Sequence, residues 1–263
     1  MVLQPVVQAK AASGCSEAWP VIERTQRQIA PEYLLVTQPD HAALAGALAA
    51  RFAAPGFPGV DAHISRAIEV HDSGWAIFQP EADPRVAPCI DRNGKPISFL
   101  EVDPPDFLRA WIESINHAEA VCAAGGYIVS SHFCVLGEHR LRGGIDTADN
   151  TQRLKTFLQT ETARRERLQR LAKRSSEELR ELLLVLQFCD LLSLYLCCGA
   201  TDAVEFPQPF EAGKVRVRRE NQAFVLEPSP FGRASEGASI GVSAQRFIAG
   251  KNQASTELGF LLM

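Results

Sequence analysis

No CxxC pair occurs in the chain, although it has seven cysteines, an odd number, with Cys189, Cys197 and Cys198 in one apolar stretch. That usage speaks against a disulfide framework and for reduced, buried thiols in a cytoplasmic protein. The opening residues, MVLQPVVQAKAASG, lack a basic start and an apolar block of about 7–15 residues, so no signal peptide is expected. A basic excess is also missing. The formal net charge of −4 argues against a nucleic-acid polymer as partner, because such binding needs a cationic surface to displace counterions. It leaves room for a small, phosphorylated ligand held by two or three arginines. No apolar run is comfortably long enough for a membrane: residues 182–198, the most apolar, contain Gln187, Asp190 and Ser193 and read as a core helix. No internal repeat is visible.

What is present, 46% apolar and 22% charged residues over 263, suffices for one large helical core or a core with a small appended module. Residues 1–18 are small and polar and are expected to be poorly ordered. PVIERTQ and EYLLVTQ, within residues 20–37, read as two short strands. At Thr37 the pattern turns helical: Thr37 can cap, and Pro39 and Asp40 suit a first turn. HAALAGALAARF then carries Leu44, Leu48 and Phe52 on one face, ending near Pro55-Gly56. VDAHISRAIEVHD is a second helix, closed by Gly74. Residues 79–106, rich in proline and with a turn at Asn93-Gly94, form a long excursion of the kind that is often functional or mobile. Helices follow in DFLRAWIESINHAEAVCAA, from YIVSSHFCVLGEH up to a loop at LRGGID, around 150–173, and in SEELRELLLVLQFCDLLSLYLCC. Beyond Gly199, KVRVRR, AFVLEP, ASIGVSA and ELGFLLM read as short strands, which the two N-terminal strands can join in one small antiparallel sheet. The division expected is residues 19–200 as a helical metal-binding domain and 201–263 as a small β appendage packed on it.

The segment AIEVHDSGW carries the sharpest chemistry. Adjacent helical residues point about 100° apart, so His71 and Asp72 can share one ion only at a helix end or junction. A neutral nitrogen with an anionic oxygen suits Fe, Mn, Ni or Zn. Asp190 is the one formal charge between Glu181 and Asp202, in a helix apolar on nearly every face. A lone buried carboxylate is costly and demands a cation or donors. His41 lies in the first turn of an apolar-faced helix, and His132 interrupts the apolar run IVSSHF. Taken singly, each has a bland alternative: Asp190 as a cap or arginine partner, His132 as a satisfied core histidine, His41 as a hydrogen-bonded surface residue. His117 and His63 read as structural or exposed.

The order His41, His71-Asp72, His132, Asp190, each on its own helix, resembles the HD-domain superfamily of metal-dependent phosphohydrolases. The phrases TQPDHAALAG, HDSGW, GKPISF, SSHF and LEPSPFG look closer still to an uncharacterised bacterial HD-like branch, a domain-of-unknown-function family, over roughly residues 20–260. The resemblance implies a mainly α fold, an HD-like helical bundle, with the small antiparallel sheet built by the terminal segments. It implies one divalent metal, or two, held by His41, His71, Asp72, His132 and Asp190. Asp72 and His132 would be the catalytic groups, with Asp72 orienting water and His132 at a second metal position or donating to phosphate. Arg140 and Arg142 are candidate phosphate clamps. The chain departs from the dinuclear phosphodiesterases at Trp75, where some carry a phosphate-contacting lysine. Three functions follow as expectations: a phosphoester hydrolase, a di-iron oxygenase that would need His117 or another sixth ligand, and a non-catalytic metal-containing sensor. A homodimer is compatible with each.

Overall fold

The structure, a computed structural model, describes residues 1–6, 15–78, 90–232, 237, 239–248 and 251–263. Its elements run β1 (Val2–Pro5), β2 (Cys15–Glu17), α1 (Ala18–Gln26), β3 (Glu32–Val36), α2 (Gln38–Ala49), α3 (Ala62–Glu69), α4 (Pro104–Val121), α5 (Ala123–Gly143), α6 (Ala148–Leu171) and α7 (Ser176–Cys197). Then come β4 (Ala203–Glu205), β5 (Arg216–Glu220), β6 (Ala223–Glu227), β7 (Ser239–Ile248) and β8 (Lys251–Leu262). Short 3-10 turns occupy Ser73–Phe78 and Phe99–Glu101.

The expected mainly α bundle with a small antiparallel sheet is not what forms. The chain is 52% helical and 22% strand, and its strands make one eight-stranded mixed sheet in the order β1-β3-β7-β8-β6-β5-β4-β2. Two of its pairings, β2 with β4 and β6 with β8, are parallel. The strands not foreseen are β1 and β2 at the start of the chain and β4 after α7, and the closing hairpin is longer than expected. Val2–Pro5 pairs with β3 and Cys15–Glu17 with β4, so these parts of the first 18 residues are ordered strand; residues 7–14 lie outside the described residues. β7 and β8 run antiparallel from Ser239↔Leu261 to Ile248↔Lys251, well beyond the two apolar segments that marked them.

PVIERTQ is helix, not strand. Its β-branched residues suggest extension, but Ala18, Val21 and Ile22 recur at helical spacing and are buried together, with Pro20 harmless in the first turn. The same helix protects the sheet. Gln26 is buried beside β1, its Oε1 accepting from the Leu3 amide and its Nε2 donating to the Leu3 carbonyl, both at 2.8 Å. A side chain thus satisfies the outer edge of β1 as another strand would.

Thr37 caps α2, accepting from the Asp40 amide at 3.1 Å, with Pro39 in the first turn. Asp61 caps α3 through the amides of His63 and Ile64. Ser175 and Glu178 close a capping box on α7. α5 continues through Leu141 and Arg142 to a left-handed Gly144, so the first half of LRGGID is the last helical turn rather than a loop. Of residues 79–106, 79–89 lie outside the described residues; the Asn93-Gly94 turn is present, with Gly94 at φ +78°, and Pro104 opens α4.

The helices and the sheet share one core. A continuous cluster of buried side chains joins Leu44 and Leu48 of α2 and Leu186 and Leu192 of α7 to Val217, Leu226, Ile240, Val242 and Phe260 of the sheet. Leu3, Tyr33, Leu35 and Phe247 form a smaller cluster of their own. α3 is gripped from two sides by glycines. A Cβ on Gly46 of α2 would meet Glu69 Cβ at 2.5 Å, and one on Gly125 of α5 would meet Ala67 Cβ at 2.4 Å. These approaches draw together the helices that carry the histidines. Among the described residues no helix is long and apolar enough to cross a membrane.

Candidate metal centre

Four elements deliver the polar side chains to one buried point. His41 comes from the first turn of α2, His71 and Asp72 from the turn after α3, His132 from mid-α5 and Asp190 from mid-α7. α3 ends at Glu69, so the dyad sits at a helix junction, the arrangement two adjacent residues need to face one point. Gly74 does not end that helix. It lies in the following 3-10 turn, where a Cβ would stand 2.1 Å from the Ala110 carbonyl oxygen of α4. Its amide donates to Ser114 Oγ at 3.0 Å, seating the turn on α4.

The histidine tautomers follow from their partners. Ser193 Oγ donates to the Asp190 carbonyl at 2.8 Å, so it must accept from His41 Nδ1–H, 2.9 Å away. His71 Nδ1 lies 2.7 Å from the Ile68 carbonyl, which can only accept, and therefore carries a proton as well. Both residues are thus left with Nε2 facing inward. His41 Nε2 is 2.9 Å from Asp72 Oδ2, and His71 Nε2 is 3.3 Å from Asp190 Oδ1 and 4.0 Å from Asp72 Oδ2. The donor atoms of His41, His71 and Asp190 all fall within 4.8 Å of one another, a possible metal-binding triad. His132 joins from the other side of Asp190, its Nε2 3.7 Å from Oδ2, and its Nδ1 is buried with no hydrogen-bond partner among the described residues.

The electrostatics is that of an ion cage. Burial opposes a charge on His71, but the hydrogen bond to Asp190 and the charges of Asp72 and Asp190 outweigh it and raise its pKa to about 9. Burial likewise opposes ionisation of Asp190, yet His71, His132 and His41 hold it down at about 2. Burial, helped by the neighbouring His71 and His41, lowers the pKa of His132. The histidines are sealed, and the centre meets solvent chiefly at Asp190, whose side chain is 14% exposed.

Of the five residues expected from the sequence, His41, His71 and Asp190 form the triad, with Asp72 beside His41 and His132 beside Asp190. His117 does not join them: it is exposed on α4, with Nδ1 2.7 Å from Ser73 Oγ. Arg140 is not a phosphate clamp, because Nε and Nη2 both bind Asp146 at 2.8 Å while its guanidinium lies over Phe107; Arg142 is exposed. Sequence reasoning missed the supporting shell. Trp75 Nε1–H donates to Asp72 Oδ1 at 3.0 Å, Gln38 Nε2 to Asp72 Oδ2 at 3.3 Å, and Ser193 holds His41. Each lies three residues from a ligand candidate, and that spacing was the available signal.

A family model described as "Protein of unknown function (DUF3891)" matches residues 25–243, a span that contains all five residues. The chain belongs to that family. Comparisons with curated proteins and with solved structures found no match. Membership of DUF3891 carries no assigned activity, so the chemistry must be argued from the site.

Proposed function

We propose that the protein is a metal-dependent hydrolase that cleaves a phosphoester of a small, nucleotide-like substrate, and that it belongs with the HD-type phosphohydrolases. One observation carries the reading. The Nε2 atoms of His41 and His71, with their Nδ1 protons committed to Ser193 and Ile68, face carboxylate oxygens 2.9 and 3.3 Å away. Acceptors facing each other at such distances need a positive charge between them. A proton on His71 meets that need in part; one divalent cation meets it for His41, His71, Asp72 and Asp190 together.

The mix of imidazole and carboxylate suits Fe, Mn, Ni or Zn. When bound, the ion supplies Lewis acidity, acidifying water and stabilising charge on a phosphoryl oxygen. The chain supplies the rest. Asp72 turns one oxygen inward, where it can orient water, and His132, neutral through its lowered pKa, handles a proton at the Nε2 that faces Asp190. Backbone and serine partners hold His41 and His71 against rotation, as outer partners do in metal sites generally.

A second reading, a non-catalytic metal-containing sensor, draws support from the narrow opening. Two surface grooves among the described residues, of about 760 and 390 Å³, are lined by other residues, around Asn116 and Arg164 and around Pro20 and Arg24. The oxygenase reading loses His117 as its candidate sixth ligand, because that residue lies on the surface.

Elemental mass spectrometry of the wild type and Asp72→Ala, purified without chelators, tests the site. We expect one or two equivalents of Fe, Mn, Ni or Zn, lost in the variant, and phosphate release from a nucleotide or aryl phosphate lost with it. Metal without turnover on such a panel leaves the sensor. No metal after reconstitution sinks both.

A further inference from the structure

The two oxygens of Asp72 have different partners. Oδ2 faces His41 and His71 and accepts from Gln38 Nε2 at 3.3 Å, while Oδ1 accepts from the Trp75 indole N–H at 3.0 Å. The backbone repeats the link, since the Trp75 amide donates to the Asp72 carbonyl at 3.2 Å. This closed turn cannot swing freely, because Gly74 is pressed on α4 with no room for a Cβ and its amide is bound to Ser114. Trp75 is itself buried, beside Phe78 with ring centroids 6.1 Å apart. A buried indole needs some acceptor for its one donor. Here that acceptor is the outward oxygen of the carboxylate whose other oxygen enters the cage.

We propose that Trp75 is a positioning residue for the metal: by occupying Oδ1 it makes Asp72 a single-oxygen ligand and aims Oδ2 at the space between His41 and His71. The inference rests on the metal reading above. A free carboxylate rotates readily about its terminal bond, a broad two-fold torsion, and can offer either oxygen or both. The indole removes that choice.

The test is a Co²⁺ titration of the chelator-stripped full-length wild type and Trp75→Phe, following the visible absorption of the bound ion and competing it with a chelator. Phenylalanine keeps a ring in place and deletes the donor. We expect the variant to bind Co²⁺ about 10–100-fold more weakly, the usual loss for an outer-shell partner, and with an altered absorption band. A packing role would lower the melting temperature and leave band and affinity alone; that result overturns the inference. A second measurement covers a variant that fails to fold. In wild type labelled with ¹⁵N-tryptophan, one of three indole N–H signals must shift as Zn²⁺ is added stoichiometrically. If none moves while Zn²⁺ binds, the inference falls and the metal reading stands. If neither ion binds, both fall.

Discussion

Asp190 and Asp146 are both held ionised below the ordinary carboxylate range, but by different neighbours, and only Asp146 gives a simple acid response. Asp190 is caged among three histidines. Asp146 is lowered chiefly by the two-point hydrogen bond from Arg140, against a smaller opposing effect of burial. A carboxyl whose folded pKa lies below its unfolded value of 3.8 adds stability above that value and loses it as pH falls through the folded pKa. Asp146→Asn should therefore melt below the wild type at pH 7, by roughly 1–3 kcal/mol for a two-point bond to a carboxylate mostly shielded from water. The gap should narrow as pH falls below 3.8 towards the lowered folded pKa. Thermal denaturation at neutral and acid pH checks it; a gap that persists undiminished in acid would mean that packing, not the ion pair, is the source. The same pair shows why residue type alone misled at Arg140: a guanidinium on a glycine-rich segment suits phosphate, but a carboxylate six residues on already takes its Nε and Nη2 edge.

The elements that bear the histidines are spaced by small residues. Alanine at Gly46 would gain about 1 kcal/mol of helix propensity, but its Cβ would sit 2.6 Å from the Cα of Glu69, which is backbone and cannot turn aside. Overpacking of this kind costs about 1–3 kcal/mol, so Gly46→Ala should be destabilising on balance. It should also push α2 from α3, separating His41 from His71, and lose metal although no ligand is touched. Urea denaturation and metal content on the same preparation test this. A variant that is less stable yet binds metal as the wild type does would show that the crossing does not set the cage. At this scale the sequence spoke clearly where chemistry is local: Thr37 with Pro39 and Asp40 marks the start of α2, and the isolated Asp190 announces a buried cation or donor. It misled at PVIERTQ, where β-branched residues hid a helical period, and at Gly74, whose role depends on a helix more than 30 residues away. Close approaches between distant segments leave no periodic trace.

Seen as a whole, the molecule joins its two ends through the sheet. β3, from the start, lies between β1 and β7, and β7 pairs with the last strand. The sheet's extent escaped a sequence reading because its edge strands are only three and four residues long and the first half of β8, KNQAST, carries no apolar alternation. That difference bears on how the protein folds. An appendage could be removed, but here Val204, Phe206, Val217, Phe224, Leu226, Ile240, Val242 and Phe260 lie in the same core cluster as Leu48 and Leu186. Each fully buried apolar side chain contributes roughly 1.5–3 kcal/mol, against a total of about 5–15 kcal/mol for a typical domain. A chain ending at Ala200 should therefore lack a cooperative thermal transition and bind no metal, although every candidate ligand remains in it. Circular dichroism melts of that fragment beside the full chain decide the matter. A sharp transition with retained metal would show that the helices fold alone and that the sheet is added to a finished site; a featureless melt would show that the last 63 residues complete the core that holds the histidines in place.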